Sequence, residues 1–154
     1  FMGDNPWQRN FVKEIKKKTG YKIVALLHLD QYIKADEEYV DYAPYDISPS
    51  DFINLVKYSK MVCTDSFHGT VFSLVYRKEF YTFMRFSDEA TLSTNSRITT
   101  LLKLVGGEER LVSKEMDVDK ALNMKMDVED MQNRLSEFRE ASLKYLKNSL
   151  GAKE

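Results

Sequence analysis

The sequence predicts an α/β fold, a layered domain with a mainly parallel sheet. Three observations lead there. Short apolar runs alternate with longer amphipathic stretches. The runs over 23–27 and 80–84 read as continuous rather than alternating, the pattern of strands buried on both faces. The length, 154 residues, suits a single domain with a core of its own.

The elements follow in order. Residues 8–19 are expected to be helical, with Phe11, Val12 and Ile15 in one stripe and Gly20 as the stop. Residues 21–29 then form a strand around Ile23-Val24-Ala25-Leu26-Leu27. Residues 30–47 are a polar connection with a short strand near 41–43. Ser48-Pro49-Ser50-Asp51 starts the next helix: Ser48 caps, Pro49 suits the first position and Asp51 complements the helix dipole. Phe52, Leu55 and Val56 form its buried face. A strand over 60–64 leads through a turn at 65–69 into a helix over 70–76, with Phe67, Val71, Leu74 and Val75 on one side. After the strand at 80–84 and a loop at 85–95, a helix over 97–105 buries Ile98, Leu101, Leu102 and Val105 and ends at Gly106-Gly107. The last helix spans 128–150, capped by Asp127 and closed by Gly151. Its inward stripe is Val128, Met131, Leu135, Phe138 and Leu146. Phe1-Met2 reads as the stub of a further strand.

Composition narrows the function classes. Hydrophobic residues make up 43% and charged residues 31%, an ordinary globular balance. Lys plus Arg is 23 and Asp plus Glu 24, so a dedicated nucleic-acid binder is disfavoured. The single cysteine, Cys63, permits neither an internal disulfide nor a cysteine-built zinc site, and a cytoplasmic setting fits. No apolar run approaches the roughly 18 residues of a membrane span, and no signal peptide opens the chain. Residues 9–22 carry six bases (Arg9, Lys13, Lys16, Lys17, Lys18, Lys22) against Glu14. Residues 31–52 carry six acids (Asp36, Glu37, Glu38, Asp41, Asp46, Asp51) against Lys34. Both runs read as solvated faces. A chain opening at Phe1 is expected to be part of a longer protein.

In open parallel sheets ligands sit beyond the carboxyl ends of the strands. The residues to weigh are therefore those at 28–30, 65–70 and 85–96, joined by Gly3, Asp4 and Asn5 if a strand ends at Met2. The most informative stretch is Thr64-Asp65-Ser66-Phe67-His68-Gly69-Thr70-Val71-Phe72-Ser73-Leu74. A strand, a tight polar turn and a helix start make an anion site from backbone N–H groups. Gly69 lets an anion approach the backbone. His68 can donate to that anion or move a proton near neutral pH, and Ser66 and Thr70 add hydroxyls. On the bland reading, Asp65 or Ser66 merely caps the helix, Gly69 only allows close packing and His68 is a core histidine. Arg97 at a helix start opposes the dipole, a cost that a bound anion or a salt bridge to Asp88 or Glu89 would offset. Arg85 follows a strand end and is a weaker candidate, as is His28. A metal cluster of Cys63, Asp65 and His68 is poorly supported.

The same stretch, continued by Lys78-Glu79-Phe80, resembles the polysaccharide pyruvyl transferase family. Phe1-Met2-Gly3-Asp4-Asn5 is similar to the strand end that opens the family's C-terminal domain. Ser96-Arg97-Ile98-Thr99-Thr100-Leu101-Leu102 is similar to its Arg-Ile helix, Glu109-Arg110-Leu111-Val112 to its next short strand, and Ser142-Leu143-Lys144-Tyr145-Leu146 to its closing helix. Where the family turn can read Arg-Leu-His-Gly, this chain has Ser66-Phe67-His68-Gly69. The resemblance implies a Rossmann-like three-layer domain, one C-terminal lobe of a GT-B-type protein over 1–154, with the N-terminal lobe of the parent missing. It implies transfer of a pyruvyl group from phosphoenolpyruvate to a sugar of a surface polysaccharide or its precursor, forming a ketal. It needs no cofactor and no metal. His68 would be catalytic, as the acid for the enol carbon or as a donor to phosphate. Asp65, Ser66, Gly69, Thr70 and Arg97 would bind the donor, with Gly3, Asp4, Asn5 and Arg85 as further candidates. The expected partners are phosphoenolpyruvate, a sugar acceptor and the other lobe, with no nucleic acid and no membrane span. Homo-oligomers are compatible with it, and so is a location at the inner face of a membrane. Two other readings stand beside it: a nucleotide-sugar glycosyltransferase lobe, and a non-catalytic Rossmann-like interaction module.

Overall fold

The computed structural model describes residues 1, 5–27, 32–86 and 95–151. Helix α1 (Pro6–Thr19) is followed by a 3₁₀ turn (Lys34–Glu38), α2 (Pro49–Tyr58), β1 (Met61–Thr64), α3 (Phe67–Val75), β2 (Glu79–Phe83) and α4 (Asn95–Val105). A second 3₁₀ turn (Glu108–Arg110) leads to β3 (Leu111–Val112), α5 (Val118–Asn123) and α6 (Val128–Ser149). The strands form a parallel sheet in the order β1-β2-β3. Met61 lies opposite Glu79, Thr64 opposite Thr82, and Phe83 opposite Val112. An α/β domain with a small parallel sheet flanked by helices is therefore what the sequence builds.

β2 is the axis of the core. Its alternation sends Tyr81 and Phe83 to one face, where they pack with Phe11, Ile15, Val112 and Ala121. Phe80 goes to the other face, with Leu74, Ile98, Leu102, Val105 and Met131. Each large side chain so buried contributes about 1.5–3 kcal/mol. Local signals set the helix ends. Ser48 and Asp51 form a reciprocal capping box, with Pro49 at the first position. Gly20 ends α1 in the left-handed region, at φ 70°. Asp117 and Asp127 cap α5 and α6 through their side chains.

Several expectations are corrected. Residues 21–27 are not a buried strand. Among the described residues they make one parallel bridge, Val24 to Tyr42. Ala25 N–H donates to the Tyr42 carbonyl at 3.0 Å, and the Tyr42 N–H donates to the Ile23 carbonyl at 3.1 Å. Val24 remains 47% exposed and Leu27 40%. A strand apolar on both faces needs a neighbour on each edge and cover above and below; among the described residues this segment has the 41–42 stretch on one side. Helix α3 begins at Phe67, three residues before the expected start, because Ser66 caps it. Val75, expected inward, ends α3 and is exposed. In α6, Met131 is buried against the core, but Phe138 and Leu146 are exposed. The 22-residue helix is about 33 Å long, and the 11-residue α4 that supports it covers only its first half. α5 is a further short helix, started by the Asp117 cap.

The two charge runs are solvated faces only in part: three bases of the first pair with three acids of the second, while Lys17, Lys22, Glu37, Asp46 and Asp51 stay exposed. Arg9 Nε donates to Asp36 at 2.7 Å, Lys13 pairs with Glu38, and Lys16 with Asp41 at 2.8 Å. Residues 9, 13 and 16 share one face of α1, so the helix presents a ladder of cations to 36–41. Arg9 and Asp36 are buried, and the Tyr39 hydroxyl also donates to Asp36, at 2.8 Å. Burial alone would raise the Asp36 carboxyl; the hydrogen bonds from Arg9 and Tyr39 outweigh it and hold it below its ordinary value. Burial, reinforced by that carboxylate, pushes the Tyr39 phenol up.

Candidate functional site

The carboxyl edge of the sheet gathers most of the sequence-predicted residues. β1 delivers Asp65 and Ser66, β2 delivers Met84 and Arg85, and the starts of α1, α3 and α4 converge there. Ser66 is extended and its hydroxyl accepts from the Gly69 N–H, at 3.5 Å. The Ser66 N–H donates to Thr64 Oγ1 at 3.1 Å. Among the described residues the N–H groups of Phe67 and His68 have no acceptor; they are orphan donors of a helix start. His68 is exposed beside them.

Gly69 is buried because α3 lies hard against β1. A Cβ there would stand 2.5 Å from Thr64 Oγ1. Its carbonyl accepts from the Ser73 hydroxyl at 2.7 Å. Thr70 is fully buried, and its hydroxyl is bonded to the Ser66 carbonyl at 3.1 Å and to the Thr82 hydroxyl at 2.9 Å. That side chain ties α3 to β2 and does not face the mouth. Asp65 is likewise buried; its Oδ2 lies 3.7 Å from Arg85 Nε, and Arg85 Nη2 donates to the Asp65 carbonyl at 3.3 Å. These two residues brace the turns after β1 and β2 against each other. Asn5 Nδ2 donates to the Arg85 carbonyl at 3.2 Å, so the start of α1 belongs to the same edge. Gly3, Asp4, His28, Asp88 and Glu89 lie outside the described residues.

Arg97, in the first turn of α4, is exposed and reaches over α3. Its Cζ stands 5.3 Å from the centroid of the Phe67 ring. The same ring meets the His68 imidazole at 5.8 Å, nearly perpendicular. His68 and Arg97, 29 positions apart in the chain, are thus brought to one aromatic ring at the start of α3. The arrangement can hold an anion: two amides without an acceptor among the described residues, with the exposed Arg97 guanidinium and His68 imidazole beside them.

Two residues here, Gln8 and Asn95, are not among those the sequence singles out. Gln8 is fully buried and donates from Nε2 to the Met84 carbonyl at 2.7 Å; its signal is a polar side chain on the apolar stripe of α1. Asn95 donates to the Phe86 carbonyl at 2.8 Å and so ties the start of α4 to the end of β2; its signal is a cap-type residue two places before Arg97. The spacing of Phe67 points to the core, and its ring also meets the exposed Arg97 and His68. Cys63 packs, partly buried, against the Tyr81 and Phe83 cluster, and that burial pushes its thiol up to about 12, away from a reactive thiolate. Among the described residues no three His, Cys, Asp or Glu side chains cluster to hold a metal, and no helix is long and apolar enough to cross a membrane.

Residues 1–85 match the family model described as polysaccharide pyruvyl transferase. That segment holds α1, β1, α3 and β2, and hence every residue of the site except those of α4. No curated protein and no solved structure matches the chain.

Proposed function

The chain belongs to the polysaccharide pyruvyl transferase family, and from that premise we propose that it is a Rossmann-like donor-binding lobe. The donor is phosphoenolpyruvate and the acceptor a pair of sugar hydroxyls on a surface polysaccharide or its precursor. The observation that carries the reading is the group at the start of α3: the Phe67 and His68 amides, without an acceptor among the described residues, with the His68 imidazole and the Arg97 guanidinium beside them.

Ketal formation from an enol phosphate needs a proton at the methylene carbon, neutralisation of the departing phosphate and two hydroxyl additions at C2. His68 supplies the proton. The first sugar hydroxyl then adds to C2 and loses its proton to a base on the acceptor side. The C2–O bond to phosphate breaks, and the second hydroxyl closes the ketal as its proton passes to the departing phosphate, so that inorganic phosphate is the other product. The α3 amides and Arg97 take the negative charge of phosphate and carboxylate. Ser66 fixes the start of the helix and Gly69 its closeness to β1. Asp65, Thr70 and Arg85 hold the turns from beneath. The work is done in the cytoplasm, beside the membrane that carries the growing polymer.

The test is an NMR titration of the isotopically labelled chain with phosphoenolpyruvate and, separately, with nucleoside diphosphates. Amide shifts at Phe67, His68 and Gly69 and at the Arg97 side chain are expected with phosphoenolpyruvate, and weaker ones in Arg97→Ala. A response to nucleoside diphosphates alone would move the assignment to glycosyl transfer. His68→Gln separates the roles of the imidazole: it keeps a hydrogen-bond donor and removes the acid, so binding should survive while turnover in the assembled enzyme is lost.

A further inference from the structure

We propose that Phe67 is a positioning residue for the donor site, holding the Arg97 guanidinium over the start of α3 so that it and His68 act on one anion. This rests on the donor-site reading above. Phe67 is the first helical residue of α3, and its side chain packs partly against the cluster of Leu74, Phe80 and Ile98. The ring is therefore anchored by the core from one side. Its ring also meets the two exposed groups, Arg97 at 5.3 Å and His68 at 5.8 Å.

Arg97 needs such an anchor. It stands in the first turn of α4, where the helix dipole disfavours a cation. Among the described residues no carboxylate forms a salt bridge with it. A carboxylate would fix the guanidinium but cancel its charge. An aromatic face fixes it through the ring quadrupole and leaves the charge and the in-plane N–H donors available to a ligand. A small compound with two anionic groups then fits the site, one group on the Phe67 and His68 amides and the other on the guanidinium fork.

The experiment measures phosphoenolpyruvate affinity by NMR in the whole chain for Phe67→Leu, Phe67→Tyr, Arg97→Gln and the Phe67→Leu/Arg97→Gln pair. The Arg97 δ-methylene shift serves as a ligand-free reporter, since the ring current displaces it upfield. Phe67→Leu should weaken binding roughly two- to fivefold, the worth of an exposed cation–π contact, and should abolish the upfield displacement. Phe67→Tyr should restore both. Phe67→Leu should add nothing in the Arg97→Gln background. Phe67→Met replaces the leucine variant if that one fails to fold. Wild-type affinity in Phe67→Leu, or an equal loss with and without Arg97, overturns the positioning role and leaves the donor site standing. A wild-type chain that shows the ring-current displacement but does not bind phosphoenolpyruvate overturns the donor-site reading itself, and the role of the ring with it.

Discussion

The runs Phe80-Tyr81-Thr82-Phe83 and Ile23-Val24-Ala25-Leu26-Leu27 are alike on paper and unlike in the fold. The first is the central strand, flanked by β1 and β3 and covered by helices on both faces; Phe80 and Phe83 have no exposed surface at all. The second, among the described residues, pairs with the backbone at 41–42 and the Asp41 carboxylate and leaves Val24 and Leu27 in part to solvent. Its surroundings are held differently too. Ion pairs from Arg9, Lys13 and Lys16 fasten residues 36–41 to α1. One region is stabilised by apolar burial, the other by charge. An unbroken apolar run thus specifies a buried strand only where partners exist on both edges, and opposite charge runs can mark a contact as surely as apolar ones.

The contrast can be broken at its strongest point first. Phe83→Ala removes a ring that meets Phe1, Trp7 and Phe11, and should cost about 3–5 kcal/mol in denaturant unfolding. Arg9→Met should come next. It leaves the Asp36 carboxylate buried with the Tyr39 hydroxyl but without its cation, and losses of about 3–5 kcal/mol are typical of such a break. The double replacement with Asp36→Leu should recover much of it, which a purely apolar core position would not allow. Gly69→Ala sharpens the comparison at the site, where packing and function meet. Its methyl collides with Thr64 and should cost about 1–3 kcal/mol, with amide shifts concentrated at residues 64–70. Val24→Ser is the smallest change, expected within about 1 kcal/mol of the parent because the side chain already meets water.

Acid provides a further probe of the charged region. The Asp36 carboxyl is held below its ordinary value in the fold, so the unfolded chain takes up that proton more readily. Its stabilisation is complete above the ordinary carboxylate range and is lost as pH falls through the lowered folded value. Unfolding free energy followed from neutral pH downward should show a loss that Asp36→Asn removes. Stability that is flat across that range in the parent chain would contradict the assigned pair.

Much of the fold was legible because local signals and tertiary need agreed. The Ser48–Asp51 box, Gly20, Asp127 and the apolar stripes of α1 and α4 each name their element without reference to the rest. The strand–turn–helix of 61–75 was legible for the same reason, and with it the exposed His68 beside a free helix start. What failed depended on distant partners. Whether residues 21–27 are buried turns on what lies beside them, and the exposure of Phe138 and Leu146 turns on how far α4 reaches. Phe67 read as core from its spacing alone. Only the approach of Arg97, 30 residues later and from another helix, gives its ring a second use.

One edge of the sheet has a consequence for handling the protein. Among the described residues β1 pairs only with β2, so the backbone groups that alternate residues of Met61–Thr64 turn to the outer edge have no strand partner there. A row of unmatched donors and acceptors with apolar side chains is a template for other chains. Lys60 and Asp65 flank that row, and the exposed Lys60 charge stands where gatekeeper residues discourage stacking. Colloidal behaviour should therefore depend on this one short strand more than on the large exposed face of α6. Preparations at low ionic strength, where the Lys60 charge is least screened, should stay dispersed longest.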